Sequence, residues 1–411
     1  MEQLAFSNED QVREIRERFG TPVYVYDQAT LEAQARRVLD FPNAFGLTAR
    51  YAMKALPNGA VIRILNRAGL HIDASSGFEA ERAIQAGVPG EQIQLTAQEV
   101  PRNLKALMDR GVIFNACSLQ QLRMFGEQFP GKTLTVRINP GRGSGHSNRT
   151  NVGGPAASFG IWHEYVDEVL AIAQEHDLTI NRMHTHIGSG SDPEVWERVA
   201  LMSLEICSRF PDATTLSLGG GYKVGRMQGE GETDLQRIGP HVVEAFKMFE
   251  GQHGRRLTLE VEPGTFLVAN AGVLVASVID VVDTGQDGYT FIKVDTGMTE
   301  VTRPSLYGSQ HPIVVVPAKG KHRGTREYII SGHCCESGDV LTPAPDDPEG
   351  LQVRELTEAQ TGDLVVIGGS GAYCAAMSTK NYNSFPEAAE VLLADDGTLH
   401  LVRKRQTLAQ V

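Results

Sequence analysis

ARYAMKALPNGAVIRILNRAGLHIDASSGFEAERAIQAG, residues 49–87, alternates two kinds of apolar pattern. ARYAMK and HIDAS are short runs of strand type. AVIRILNRAG and GFEAERAIQAG instead repeat their apolar residues every three or four positions, which lines them along one helix face. Both helical runs close on a glycine, the residue that most readily takes the left-handed conformation at a helix C-terminus. The same alternation continues through IQLT, VIFNAC, TLTVRINP, NRMHTHIG, TTLSLGG and LTLEVEPG. Between them lie the helical runs NLKALMDRG, LQQLRMFGEQF, YVDEVLAIAQEHD, WERVALMSLEICSRF and HVVEAFKMFEGQHG. About eight βα repeats over roughly 230 residues have the size and rhythm of a (β/α)8, TIM-like barrel, with a doubly wound open sheet as the other arrangement.

After EPG at 262–264 the rhythm changes. GVLVASVIDVVDTG, YTFIKVDTG, HPIVVVPA, EYIISG and DLVVIGGSG are strand-like runs broken by Gly and Pro with few helical intervals. They predict a second, mostly β and β-barrel-like domain, to which the early apolar run TPVYVYD adds a strand. The expected boundaries are 30–270 for the barrel, and 1–29 with 271–411 for the β domain.

The whole chain has 411 residues, 41% of them hydrophobic and 21% charged, a composition for soluble globular domains with cores of their own. A net charge of −12 without a Lys/Arg cluster argues against nucleic acid as a partner. No stretch has the length and apolarity of a membrane span or a signal peptide, so a cytoplasmic location is expected. Cys117, Cys207, Cys334, Cys335 and Cys374 follow no disulfide framework or CxxC metal pattern. Any that matters does so as a thiol.

Lys54, Ser76, Asn139, His186, Gly219–Gly221 and Glu262 fall at or just past the C-terminal ends of different strands, which in a barrel share one mouth. Each has a plainer explanation by itself. LSLGGGYKV makes a tight turn, but its glycines also bare N–H groups for a phosphate. His184 and His186 alternate onto one side of their strand; no third ligand completes a metal site, so a ring stacked on a flat cofactor is the better reading. Glu260 and Glu262 share a face as well, as catalytic carboxylates or as structural ion pairs. A lysine amine, a glycine-rich phosphate cradle, a stacking ring and a carboxylate are together what pyridoxal 5'-phosphate requires.

YAMKA, HTHIGSG, LSLGGGY, EPG followed by FLVANAG, RPSLYGS, CESGD and GAYCAAMSTKNYNS occur here in the order of the diaminopimelate decarboxylases, of the alanine racemase and ornithine decarboxylase fold group. The chain resembles that family from FGTPVYVYD to LVRKRQT. The resemblance implies the pyridoxal-phosphate-dependent conversion of meso-2,6-diaminopimelate to L-lysine and CO2, the last step of lysine biosynthesis. By position, Lys54 resembles the Schiff-base lysine, His186 the ring that stacks on the cofactor, and Glu262 the partner of the pyridine nitrogen. Ser189, Gly221, Gly264 and Tyr373 match the phosphate site. Arg303, Tyr307, Glu336 and Tyr373 match residues that hold the substrate. Cys335 matches a proton donor, and Cys335 and Glu336 match residues that reach the neighbouring subunit's site, which implies a homodimer.

Three positions depart from the family. It usually carries Arg after EPG, where Thr265 stands, Lys before FGI, where Ser158 stands, and Arg in YNSRP, where Phe385 stands. A charge-assisted contact of the kind lost at Thr265 contributes about 1.5 to 3 kcal/mol. The alternative reading is therefore a related decarboxylase acting on D-lysine, D-ornithine or a modified amino acid.

Overall fold

The structure is a computed structural model that describes residues 2–141, 153–186, 193–320 and 323–411. The chain divides into two compact units. One comprises Glu32–Val224 and Gly231–Phe266; the other comprises Met1–Leu31, Gly225–Glu230 and Leu267–Val411. Helix Glu9–Phe19 and strand β1 (Val23–Asp27) come first and belong to the latter.

The first unit is built on β2 (Leu47–Ala52), β3 (His71–Ala74), β4 (Ile93–Leu95), β5 (Ile113–Ala116), β6 (Thr133–Asn139), the two-residue β7 (Ile161–Trp162), β8 (Thr179–Thr185), β9 (Thr215–Ser217) and β10 (Thr258–Val261). Strand β7 only flanks β6. The other eight pair in parallel in the order β2-β3-β4-β5-β6-β8-β9-β10, and β10 returns to β2, so the ring closes. This is the (β/α)8 barrel, and closure rules out the open sheet. All eight strands arise where the alternation places them.

Local sequence makes the crossovers abrupt. Asn58, Ser76 and Ser118 stand between a strand and the following helix, and each side chain accepts a backbone N–H of that helix's first turn. Helix Gly59–Arg67 then buries Val61, Ile62 and Leu65 on one face. Gly69, Gly87 and Gly111 follow their helices at φ +110°, +94° and +90°, values that side chains resist.

The barrel interior carries an ionic layer as well as apolar ones. Arg50 on β2 is 1% exposed and its Nε lies 2.9 Å from Oε2 of Glu260, which is wholly buried. Arg182 Nη1 lies 3.6 Å from the same oxygen. Glu260 is thus the structural ion-pair member of the EVEP motif. Glu260→Gln leaves two guanidiniums facing no charge in a low-dielectric interior, and we expect it to cost about 3 to 5 kcal/mol of folding stability, read from urea denaturation.

The second unit is a nine-stranded, branched sheet. Its strands are β1, β11 (Gly272–Asp283), β12 (Thr290–Val294), β13 (Ile313–Val316), β14 (Thr325–Ser331), β17 (Arg354–Thr357), β18 (Leu364–Ile367), β19 (Ala389–Leu393) and β20 (Leu399–Arg403). A small hairpin pairs β15 (Pro343–Ala344) with β16 (Asp347–Leu351). Strand β1 lies inside the sheet, antiparallel to β11 and parallel to β19. Val23 and Val25 on β1 share a buried cluster with Val12 and Ile15 of the first helix and with Val275 and Val391. Among the described residues, no helix is long and apolar enough to cross a membrane.

Candidate active site

Strand β2 ends at Ala52, and a single 3-10 turn, Met53–Ala55, carries the chain over the rim. Met53 and Ala55 are buried there while Lys54 is exposed. A buried strand thus delivers its lysine to the C-terminal mouth of the barrel with the ammonium hydrated, the end of the fold where barrel enzymes carry their chemistry.

The next residue outward from Val261 on β10 is Glu262, whose carboxylate meets three hydrogen-bonding side chains. Gln94 Nε2 donates to its Oε1 at 2.9 Å, Ser217 Oγ donates to the same oxygen at 3.1 Å, and His184 Nε2 lies 2.8 Å from Oε2. Burial alone pushes this carboxyl up, but His184, through its charge and hydrogen bond, and the Arg137 guanidinium more than offset it and hold Glu262 well below the usual carboxylate range. An ionised carboxylate only accepts, so His184 carries its proton on Nε2.

Asp73 on β3 shows the opposite behaviour. It receives the Thr96 hydroxyl at 2.7 Å and a long contact of 3.5 Å from Gln94. Burial and the neighbouring Glu262 charge raise its carboxyl to about 8. Two close carboxylates cannot both ionise cheaply, and the one with more donors, Glu262, keeps the charge. A folded-state value above the unfolded one means stability that is full below about pH 4 and is lost as pH rises towards 8. From pH 6 to 8, Asp73→Asn should therefore lose roughly 2 to 3 kcal/mol less folding stability than the parent, as read from urea midpoints at the two pH values.

His186 follows β8 and is half-buried. Its Nδ1 accepts the Gly220 backbone N–H at 2.9 Å, so that nitrogen is unprotonated. Burial, then Arg137 and Lys54, hold the imidazole well below its ordinary value, and the ring is neutral. The glycines of LSLGGGY are required by this closeness. A Cβ on Gly219, at φ +71°, would lie 2.3 Å from His186 Nδ1, and one on Gly220 would lie 2.3 Å from the Glu262 carbonyl oxygen. Gly221 follows at φ +101°, and Gly264 packs where a Cβ would come within 3.1 Å of the Ala52 carbonyl oxygen. Ser189 lies outside the described residues.

Ser76 and Asn139 reach the mouth but serve the backbone. Ser76 caps helix Gly77–Gln85, and Asn139 binds both the N–H and the carbonyl of Gly154. Sequence reasoning missed Asp73, Gln94, Thr96, Ser217 and the buried Arg137, whose guanidinium lies 3.8 Å from the Phe159 ring centroid. The available signal was a polar side chain inside a short apolar strand, as in HIDAS and IQLT.

In the second unit, Arg303 and Tyr307 begin and end helix Arg303–Tyr307, with the guanidinium 5.8 Å from the tyrosine ring centroid. Tyr373 holds a left-handed backbone at φ +54°. Of the five cysteines Cys335 alone is exposed, whereas burial, with Asp339, pushes the Cys334 thiol up to about 12. The loop that presents Cys335 and Glu336 is pinned from within. Asp339 accepts the backbone N–H groups of Met298 and Cys334 at 2.7 and 2.9 Å. Asn383 Oδ1 accepts the Cys335 N–H at 2.8 Å, and Phe385 stacks on His333 with centroids 3.6 Å apart. Glu336 is exposed and accepts the Gly338 N–H. Phe385, one of the departures, thus has a packing role of its own.

The barrel's donor set suits pyridoxal phosphate. Lys54 offers an exposed amine, Glu262 an ionised carboxylate, His186 a neutral ring and Gly219–Gly221 a backbone free of side chains. The fold and these groups together define a barrel-type pyridoxal-phosphate decarboxylase. The family pattern described as pyridoxal-dependent decarboxylase, pyridoxal binding domain, matches residues 30–269, and the chain belongs to this family. Within it, the chain is similar to the diaminopimelate decarboxylases. It is 40% identical to that of Streptomyces coelicolor over 402 residues, covering 95% of this chain and 88% of the relative. It is 35% identical to that of Escherichia coli K12, covering 96% and 93%. A solved diaminopimelate decarboxylase structure superposes with a TM-score of 0.92 at 34% identity, covering 99% of this chain and 97% of that one.

Proposed function

We propose that this protein decarboxylates meso-2,6-diaminopimelate to L-lysine and CO2 with pyridoxal phosphate as cofactor, as the closing step of lysine biosynthesis in the cytoplasm. The observation that carries the reaction class is the ionised Glu262, held by His184, Gln94 and Ser217 inside a barrel that presents Lys54 at its mouth. The substrate rests on the relatives named above.

When bound, the cofactor supplies an electron-accepting ring for the charge left as CO2 departs. Residues 30–270 serve as its binding domain. Lys54 would hold the group through its amine, and the group would supply the aldehyde chemistry that the substrate amine uses. Glu262, ionised, would face the ring nitrogen and favour a proton there. His186 offers a flat, neutral face, so it adds no positive charge that would oppose protonation there. Backbone at Gly221 and Gly264, with Ser189 and the Tyr373 hydroxyl, holds the phosphate. Residues 1–29 and 271–411 make the other domain, where Arg303, Tyr307, Glu336 and Tyr373 hold the substrate and Cys335 delivers the proton to the carbon that lost CO2. Cys335 and Glu336 serve the neighbouring subunit's site in a homodimer, a state that analytical ultracentrifugation reads directly.

The test is CO2 release by purified holoenzyme from meso-diaminopimelate, D-lysine and D-ornithine. We expect diaminopimelate to be turned over with the highest kcat/KM. Release from D-lysine or D-ornithine with none from diaminopimelate would overturn the substrate while leaving the cofactor assignment intact.

A further inference from the structure

Thr265 leaves the substrate's distal carboxylate without the arginine expected after EPG. The second unit contains a guanidinium that no motif announced. Arg226 lies on Gly225–Glu230, the short stretch that interrupts the barrel's sequence and groups with the β unit. Its Nε donates to the Gly369 carbonyl at 3.1 Å, and Glu230 Oε2 accepts its backbone N–H at 2.8 Å. Gly369 sits at φ +61°, where a Cβ would lie 2.9 Å from Arg226 Cδ, so this glycine leaves the side chain its path.

The far end of Arg226 is unspent. Its Nη2 is buried with no hydrogen-bond partner, and so is Nε of Arg303. The two cations are close enough to oppose each other: burial, then Arg303, lowers Arg226 to about 10. Both also bear on His311, which burial and these two guanidiniums hold well below its ordinary value. His311 Nδ1 lies 2.9 Å from the Gly368 carbonyl, its donor in the neutral ring, and Nε2 is buried without a partner. Among the described residues neither guanidinium has an ion-pair partner. Arg303 contacts the Ser309 hydroxyl at 3.3 Å, and Glu230 Oε2 is engaged by the N–H groups of Arg226 and Met227. Two neighbouring half-buried cations, each with a buried donor that no carboxylate hydrogen-bonds, are costly until an anion arrives, and their planar forks match a carboxylate.

We propose that Arg226 is a specificity-determining residue which, with Arg303, forms a two-guanidinium receptor for the substrate's distal carboxylate and supplies the charge absent at Thr265. This deepens the proposed function and rests on its assignment of Arg303 to the substrate.

The test uses holoenzyme, Arg226→Gln and Arg226→Lys, with two competing ligands: L-lysine, which keeps the distal carboxylate, and cadaverine, which lacks it. Arg226→Gln should raise the KM for diaminopimelate and the inhibition constant of L-lysine by about 10- to 100-fold, with kcat within about threefold and cadaverine inhibition unchanged. Arg226→Lys, which keeps the charge but loses the fork, should fall between, and it carries the test where the glutamine variant does not fold. Unchanged L-lysine inhibition, or an equal loss for L-lysine and cadaverine, overturns the inference, because a merely structural role moves both ligands together. The ligand comparison needs no turnover. It therefore decides the role of Arg226 even where the parent fails to release CO2 from diaminopimelate, a result that would overturn the proposed substrate instead.

Discussion

Lys54→Ala is expected to abolish CO2 release, with kcat lowered by about 10³-fold or more in the presence of added pyridoxal phosphate. The alanine protein should also purify without the parent's visible absorbance. The expectation follows from where the 3-10 turn Met53–Ala55 leaves the amine: exposed at the barrel mouth, with its positive charge opposing protonation of His186 and favouring ionisation of Asp73. No other amine is assigned to hold the aldehyde carbon, so the loss is one of function rather than of degree. An exposed lysine contributes little to folding, within about 0.5 kcal/mol for a surface site, so the variant should unfold at the parent's urea midpoint. Parent-like turnover by Lys54→Ala would remove the cofactor assignment altogether.

Glu262→Gln should lower kcat by about 10²- to 10³-fold, the scale on which removing one preorganised electrostatic group acts. The amide fills the same volume and keeps its oxygen on Gln94 and Ser217, but its NH2 then faces His184 Nε2, which must give up its proton to accept, and it carries no charge with which to keep a ring nitrogen protonated. The same substitution has a signature in stability. Glu262 is held below the ordinary carboxylate range, so its ionisation contributes stability that is present above about pH 4.5 and is lost as pH falls. The parent should therefore lose more stability than Glu262→Gln between pH 6 and pH 3. Equal kcat in the two proteins would show that the carboxylate is not what the reaction uses.

These residues differ in how plainly the sequence showed them. The barrel was legible because each strand and helix declares itself locally, through a period of two or of three to four, and each crossover carries its own cap and glycine. Lys54, His186 and Glu262 were legible because each is a polar group at the end of an apolar run. Asp73, Gln94 and Ser217 were not, because they sit on β3, β4 and β9: Gln94 and Ser217 bond Glu262, and Asp73 bonds Gln94, only when the ring of strands closes. Glu260 and Glu262 looked alike, two residues apart on one face. That spacing is about 6.6 Å along a strand, enough to put one carboxylate in the Arg50 layer and the other at the mouth. Arg226 was hidden further still: it lies on an irregular segment, and its partners Gly369 and Arg303 come from distant parts of the sequence.

The interior position of β1 bears on how the protein is made. Val23 pairs with Val275 on one side and with Ala389 on the other, the latter about 370 residues later, a span that takes roughly 20 to 70 s to synthesise at ordinary ribosomal rates. Throughout that interval Val23, Tyr24, Val25 and Tyr26, all buried in the finished fold, have no completed sheet to enter. The sequence VYVY is then an apolar, β-prone edge on the nascent chain, the kind of segment that chaperones hold and that aggregates when they do not. The interior place of β1 therefore makes the last strand of the chain the one that relieves its first.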